Sequence, residues 1–454
     1  MRVFTALYLS KMKTPELLSP AGTYKNMMYA FAYGADAVYA GQPRYSLRVR
    51  NNDFTMENLQ KGITEAHNQG KKFYVASNIS PHNTKLKTYL ADMEPIVAMK
   101  PDALIMADPG LIHMVREAWP DVPIHLSVQA NTVNYAAVKF WHSLGLERVI
   151  LSRELSIEEI AEIKQQVPEM ELEVFVHGAL CIAYSGRCLL SGYFNHRDPN
   201  QGTCTNSCRW NYNVHETQET DSGDVVKAEQ QQIAQPVMFD PKTESTPRDE
   251  VILIEEEGRP GELMPMFEDE HGTYIMNSKD LRAVQHVKRL TEIGVDSLKI
   301  EGRTKSHYYT ARTAQVYRQA IDDAVNGRDF DMRLMTELDG LANRGYTEGF
   351  YRRHVPEEYQ NYEQGNSLST RQKFVGEITG YDEKTGLMDV EVKNKFAVGD
   401  NLEIIYPGGS QNFTLEKMQD NWGKDLDVAK GSGYKAKIPS PIERPELGLL
   451  MINL

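Results

Sequence analysis

Cysteine is scarce in this chain, with four residues in 454. So few cannot staple a fold of this size, which removes the disulfide-framed secreted class. Long apolar runs are missing too: nothing approaches the roughly 18 uninterrupted apolar residues of a membrane-crossing helix. No secretory leader is legible, because Met1 to Ser10 holds one basic residue and a short apolar stretch, and Lys11 and Lys13 follow without a small-residue cleavage site. Met12 would itself be a reasonable start, so residues 1–12 are expected to be an N-terminal tail, and the protein is expected to be cytoplasmic with no membrane partner. Neither a G-x-S-x-G elbow nor an H-E-x-x-H helix is present, so the usual signatures of serine and zinc hydrolases are absent. There are no internal repeats and no low-complexity tract beyond Gln230 to Gln232.

Positive charge is in deficit as well, 50 Lys and Arg against 63 Asp and Glu, which at face value disfavours a polyanionic partner. The deficit is local. From Glu216 to Glu270 there are 16 acidic residues against Lys227, Lys242, Arg248 and Arg259, a net of −12 out of the −13 of the whole chain. The rest of the surface can therefore carry basic patches, and the candidates are Arg44, Arg48 and Arg50, Arg303 with Lys305, and Arg352 with Arg353.

What is present is an alternation of short β-branched or apolar runs with longer helical stretches. Strands are expected over 16–19, 36–40, 72–79, 102–107, 124–129, 148–153, 171–177 and 297–301, eight in all, the number of a (β/α)8 TIM-like barrel. Ser156-Ile-Glu-Glu159 has the form of a capping box opening one of the helices. Between the seventh and eighth strands the rhythm breaks, and an acidic insertion over about 205–272 is followed by a helix expected over 278–293, with 273–276 as a stray strand leading into it. The barrel is expected over 13–335 and a connector over 336–372. From 373 to 454 the period changes to two, with runs at 374–379, 387–392, 401–405 and 411–415 separated by Gly-containing turns, which predicts a small antiparallel β-barrel.

Cys181, Cys188, Cys204 and Cys208 fall within 28 consecutive residues. Four thiolates so close in sequence suit a soft metal centre, either Zn(Cys)4 or an iron-sulfur cluster. The spacing lacks the C-x2-C knuckles common in structural zinc sites and so leans toward a cluster. Cys181 follows the end of the seventh strand, on the face where barrel enzymes keep their active sites.

The same face receives Asn78, Gln129 with Asn131, Arg153 with Glu154, His177, and Glu301 with Arg303. His177 is a candidate proton shuttle. Arg153, Arg303 and Arg44 with Arg48 could clamp carboxylates or phosphates, Asn78 and Gln129 could help to hold a cofactor, and Glu301 beside Arg303 reads as an orienting carboxylate. Tyr184 and Arg187, between the first two cysteines, are expected to line the metal pocket.

The stretch from Glu173 to Ser191, EVFVHGALCIAYSGRCLLS, resembles the signature of the collagenase-like peptidase family of unassigned mechanism. ELLSPAG at Glu16–Gly22, DAVYAGQ at Asp36–Gln42, DPNQGTC at Asp198–Cys204 and LKIEGRT at Leu298–Thr304 carry the same resemblance, which runs from about residue 13 to the end. Within the family the likeness is greatest to members acting in tRNA hydroxylation. The resemblance implies a 4Fe-4S cluster on Cys181, Cys188, Cys204 and Cys208, with prephenate, a small dicarboxylate, as co-substrate. It further implies 5-hydroxyuridine at the tRNA wobble position as product, with no need for dioxygen. The tRNA anticodon loop would be the macromolecular partner, with an electron donor and iron-sulfur assembly proteins as further partners. A metal-dependent peptidase, as the family label suggests, and an RNA-binding scaffold with a structural metal are the competing readings.

Overall fold

The computed structural model describes residues 12–47, 53–180, 279–343, 345–352 and 372–453, together with the backbone of five short strands between 212 and 266. Seven parallel strands alternate with six helices: β1 Glu16–Pro20, α1 Tyr24–Ala32, β2 Ala37–Gly41, α2 Met56–Asn68, β3 Lys72–Ser77, α3 Asn83–Ala98, β4 Ala103–Met106, α4 Pro109–Ala118, β5 Ile124–Leu126, α5 Tyr135–Ser143, β6 Arg148–Ile150, α6 Ile157–Gln166 and β7 Glu171–Ala179. An eighth parallel strand, Ser297–Ile300, pairs with both β7 and β1 and closes the barrel. All eight expected strands are present, and the fold is a TIM-like barrel.

The helices start where the sequence supplies caps. Thr23, Asp108 and Ser306 each accept a hydrogen bond from an amide three residues on, Pro109 occupies the first turn of α4, and Ser156 with Glu159 forms the full capping box.

One expected element is corrected. The helix read over 278–293 begins only at Val287, because Asp280–Arg282 is a strand lying antiparallel to the end of β7, with Leu281 opposite Gly178 and Arg282 opposite His177. Pairing with that exposed stretch of β7 outweighs the helical spacing, and it buries Leu281. The stray strand at 273–276 lies outside the described residues.

The barrel interior is filled partly by ions. Arg148 on β6 meets Glu16 of β1 at 2.6 Å and Glu171 and Glu173 of β7 at 2.7 and 3.0 Å, and Lys299 of the closing strand meets Glu173 at 2.7 Å. Tyr74 donates to Glu16 at 2.8 Å, and its ring packs edge-on against His125. Burial alone would raise the Glu16 carboxyl, but Arg148 holds it below the ordinary range. His125, buried beside Arg148 and Lys299, is pushed well below the ordinary imidazole value and is neutral.

The C-terminal unit is a six-stranded antiparallel sheet in the order Gly409–Thr414, Asn401–Tyr406, Leu449–Asn453, Gln372–Asp382, Leu387–Val392, Lys435–Pro439. It has its own core, including Val375, Val390, Leu402, Ile404 and Leu450. Four of these strands, Gln372–Asp382, Leu387–Val392, Asn401–Tyr406 and Gly409–Thr414, contain the runs read from the sequence. Leu449–Asn453, in mid-sheet, begins with three consecutive buried apolar residues and gives no alternation.

The two units are joined by a polar seam. Arg312, on the helix His307–Val325, pairs with Glu403 at 2.8 Å, Lys25 pairs with Glu377 at 2.5 Å, and Tyr33 donates to the carbonyls of Ile405 and Leu447.

Candidate active site at the barrel mouth

At the C-terminal ends of the strands the chain from Glu301 to Lys305 turns across the opening. Four glycines make room for it. A Cβ on Gly22 would stand 1.9 Å from the Arg303 carbonyl oxygen, on Gly41 2.6 Å from Arg303 Nη1, on Gly178 2.5 Å from the Glu301 carbonyl oxygen and on Gly302 2.6 Å from the Tyr309 ring. Gly178 and Gly302 also sit at φ +105° and +144°, where a side chain would be strained. These glycines lie at or just past the ends of four strands, and together they shape the seat of one arginine.

Arg303 donates from Nη1 to Ser46 Oγ at 2.8 Å and from Nη2 to the Leu47 carbonyl at 2.7 Å, with its guanidinium 5.8 Å from the Tyr39 ring centroid. It therefore fastens the β2–α2 loop to the closing strand. Leu47 N donates in turn to Asn78 Oδ1 at 3.2 Å, and Asn78 Nδ2 reaches Gln129 Oε1 at 3.1 Å and Ser127 Oγ at 3.3 Å. Arg303, Asn78 and Gln129, expected from the sequence to share this face, are joined by one polar chain around half the opening.

On the other half, Arg153 lies 3.6 Å from the centroid of the Phe175 ring. Lys299 Nζ lies 5.4 Å from the Phe175 centroid and 4.3 Å from that of Tyr39. Burial pulls the Lys299 ammonium below its usual value, with Glu173 opposing. Arg153 and Arg303 thus rest on two aromatic rings that also face a buried lysine, and cation–π contact holds both arginines at the opening. Glu301 is buried, and its carboxylate accepts from Ala179 N at 3.2 Å, in keeping with an orienting role.

Two expectations are corrected. His177 is enclosed by the rings of Tyr309, Tyr317 and Tyr346 at 5.8, 5.5 and 5.5 Å. Burial, with Arg282 nearby, pushes its imidazole down to about 3. The ring is buried and neutral in this arrangement, with Tyr317 Oη 3.3 Å from Nδ1 and Nε2 without a partner among the described residues, a setting unlike that of an exposed shuttle near neutral pH. Arg44 is half-exposed and paired with Asp92 of α3 at 2.6 Å, away from Arg303. Arg48, Tyr184, Arg187 and all four cysteines lie outside the described residues. The sequence reading missed Tyr39, Phe175, Lys299 and the loop residue Ser46; the signal of the first three was placement within the strands β2, β7 and the closing strand, which only the closed barrel brings together.

The profile of peptidase family U32 matches residues 22–361, and that of the peptidase family U32 C-terminal domain matches 370–451. The chain belongs to peptidase family U32. Among U32 relatives it is 66% identical over 430 residues, 94% of each chain, to the protein of Escherichia coli (strain K12) named tRNA hydroxylation protein P. It is 62% identical over 444 residues, 97% of this chain and 96% of the other, to the protein of the same name from Haemophilus influenzae (strain ATCC 51907 / DSM 11121 / KW20 / Rd). A solved U32 C-terminal domain from Geobacillus thermoleovorans is 28% identical, with a TM-score of 0.17, covering 17% of this chain and 96% of that domain. Among the described residues no group of three or more His, Cys, Asp or Glu side chains is arranged to hold a metal, and no helix is long and apolar enough to cross a membrane.

Proposed function

We propose that this protein is an iron-sulfur enzyme of tRNA modification that forms 5-hydroxyuridine at the wobble position in a prephenate-dependent, dioxygen-independent reaction. The observation that carries the reading is its 66% and 62% identity, nearly end to end, with two proteins named tRNA hydroxylation protein P.

The residues supply a consistent chemistry. Cys181, Cys188, Cys204 and Cys208 offer four soft thiolates, the donor set of a four-iron cluster. The first of them follows the end of β7 at Ala179, on the mouth side of the barrel. When bound, the cluster supplies one-electron chemistry beside the opening. Arg153 and Arg303 present guanidinium groups suited to the carboxylates of prephenate. The exposed Arg352, with its partner Glu348 at 3.0 Å, and Arg353, outside the described residues, belong to the surface proposed to meet the tRNA backbone.

The test is nucleoside analysis of tRNA from a strain lacking the gene, complemented with the wild type or with Cys188→Ala. Restoration of 5-hydroxyuridine-type nucleosides by the wild type alone, with about four irons and four sulfides per anaerobically purified chain, supports the reading. Unchanged nucleosides in the deletion strain overturn it, and so does one zinc with no sulfide.

A further inference from the structure

We propose that the side-chain amides of Gln129 and Asn131, just past β5, form a subsite that reads the imide edge of a uracil base. The proposal rests on the tRNA reading above and assigns the base to the turn after β5, beside the segment that carries Arg153 after the neighbouring strand β6.

The orientation of both amides is fixed by backbone groups. Leu47 N–H can only donate, so the Asn78 atom that receives it, at 3.2 Å, is the oxygen. The Asn78 nitrogen must then donate onward, and the Gln129 atom it meets at 3.1 Å is Oε1. Ser127 Oγ donates to that same oxygen. Gln129 Nε2 is thereby left as a donor on a half-buried side chain, with no partner among the described residues. The Asn131 amide is fixed in the same way: its Nδ2 donates to the Gln129 carbonyl at 3.4 Å, and its Oδ1 is buried with no hydrogen-bond partner among the described residues. One donor and one acceptor, two residues apart on the same turn, are both unspent.

Buried polar atoms without partners are uncommon, and at a barrel mouth they are groups that a ligand or an ordered water would satisfy. Asn131 also holds a left-handed backbone at φ +51°, the kind of conformation that accumulates at binding sites. The side chains around the pair are uncharged amides and hydroxyls: Gln42, Asn78, Ser127 and Thr132. Gln42 Nε2 and Thr132 Oγ1 are likewise buried without partners among the described residues. A carboxylate or phosphate belongs with a guanidinium; a neutral donor–acceptor pair suits a base edge. In uracil O4 would take the Gln129 N–H and N3–H would reach Asn131 Oδ1. Cytosine held the same way presents a donor and an acceptor in the reverse order, and both contacts fail.

The experiment uses the full chain and three anticodon stem-loop RNAs carrying uridine, cytidine or an abasic residue at the wobble position, with affinity read by fluorescence anisotropy. The wild type should prefer the uridine RNA over the cytidine RNA by about five- to a hundredfold. Gln129→Ala, and Asn131→Gly, which keeps the left-handed backbone, should each lower uridine RNA to the cytidine level while leaving abasic RNA unchanged. Gln129→Glu replaces the donor by an acceptor, leaving each base one matched and one mismatched contact, and should bring the uridine-to-cytidine ratio to about one, a ratio insensitive to the added charge. Equal wild-type affinity for uridine and cytidine RNA, or a preference that survives both Gln129→Ala and Asn131→Gly, overturns the proposal alone. Failure of the wild type to bind any of the three RNAs overturns the tRNA reading, and the proposal with it.

Discussion

Gly41 and Arg303 share one space: a Cβ at position 41 would stand 2.6 Å from Arg303 Nη1 and 2.5 Å from the Ser46 Oγ to which that nitrogen donates. Gly41→Ala should therefore displace the guanidinium and release the β2–α2 loop. Misplacement by about an ångström can cost on the order of a hundredfold in rate. The expected result is a loss of tRNA modification of that order with a folded barrel, checked by nucleoside analysis beside a thermal melt; full activity would show that the seat of Arg303 is unimportant.

Arg303→Ala should abolish modification and leave cluster absorbance intact. Arg303→Lys should fail as well, because a single ammonium cannot reproduce the fork that holds Ser46 and Leu47 at once. Wobble hydroxylation that persists in either variant would remove Arg303 from the site.

His177→Phe separates a packing role from a catalytic one. The folded imidazole is depressed to about 3 from an ordinary value of 6.5. As pH falls below about 6.5 the unfolded chain takes up the proton first, so the wild type loses stability progressively down to about pH 3. The variant should lack this proton's share of the slope in urea midpoints measured across that range, and should retain tRNA modification. Abolished modification in a well-folded variant would restore the shuttle role.

At the seam, Glu377 meets Lys25, receives the Tyr29 hydroxyl at 3.1 Å, and has His307 at 3.4 Å and Lys393 at 3.9 Å. Burial would raise this carboxyl, but His307 and Lys25 outweigh burial and hold it at about 2. Its contribution is present in full above about pH 4.5 and is lost as pH falls toward 2. Glu377→Gln should flatten the acid limb of stability in that window, read by urea unfolding at successive pH values. An unchanged limb would show that the carboxylate contributes nothing to the docking of the two units.

The architecture was legible because period and punctuation are local. Eight apolar runs and caps such as Ser156 with Glu159 are written in consecutive residues. Asp280–Arg282 was not legible, since its strand state depends on the overhanging end of β7 a hundred residues earlier. The site divides the same way. Asn78, Gln129, Arg153 and Arg303 could be placed on one face because each follows a strand. That Arg303 grips Ser46, that Arg153 lies on Phe175 and that His177 is walled in by tyrosines are facts of closure, and no spacing encodes them. Gly22, Gly41, Gly178 and Gly302 stood in the sequence as turn residues; only the folded chain shows that they vacate space for one segment.

The guanidinium of Arg148 reaches across the lumen from the sixth strand to the first and the seventh. Glu16 and Arg148 are 132 residues apart in the chain. An intermediate that had wound only its middle strands would hold this cation in a drying interior with no carboxylate from either end, and breaking a buried pair of this kind costs about 3–5 kcal/mol. Half-barrels of this sequence are accordingly poor resting places, and the lumen ions make the closing of the ring an all-or-none event.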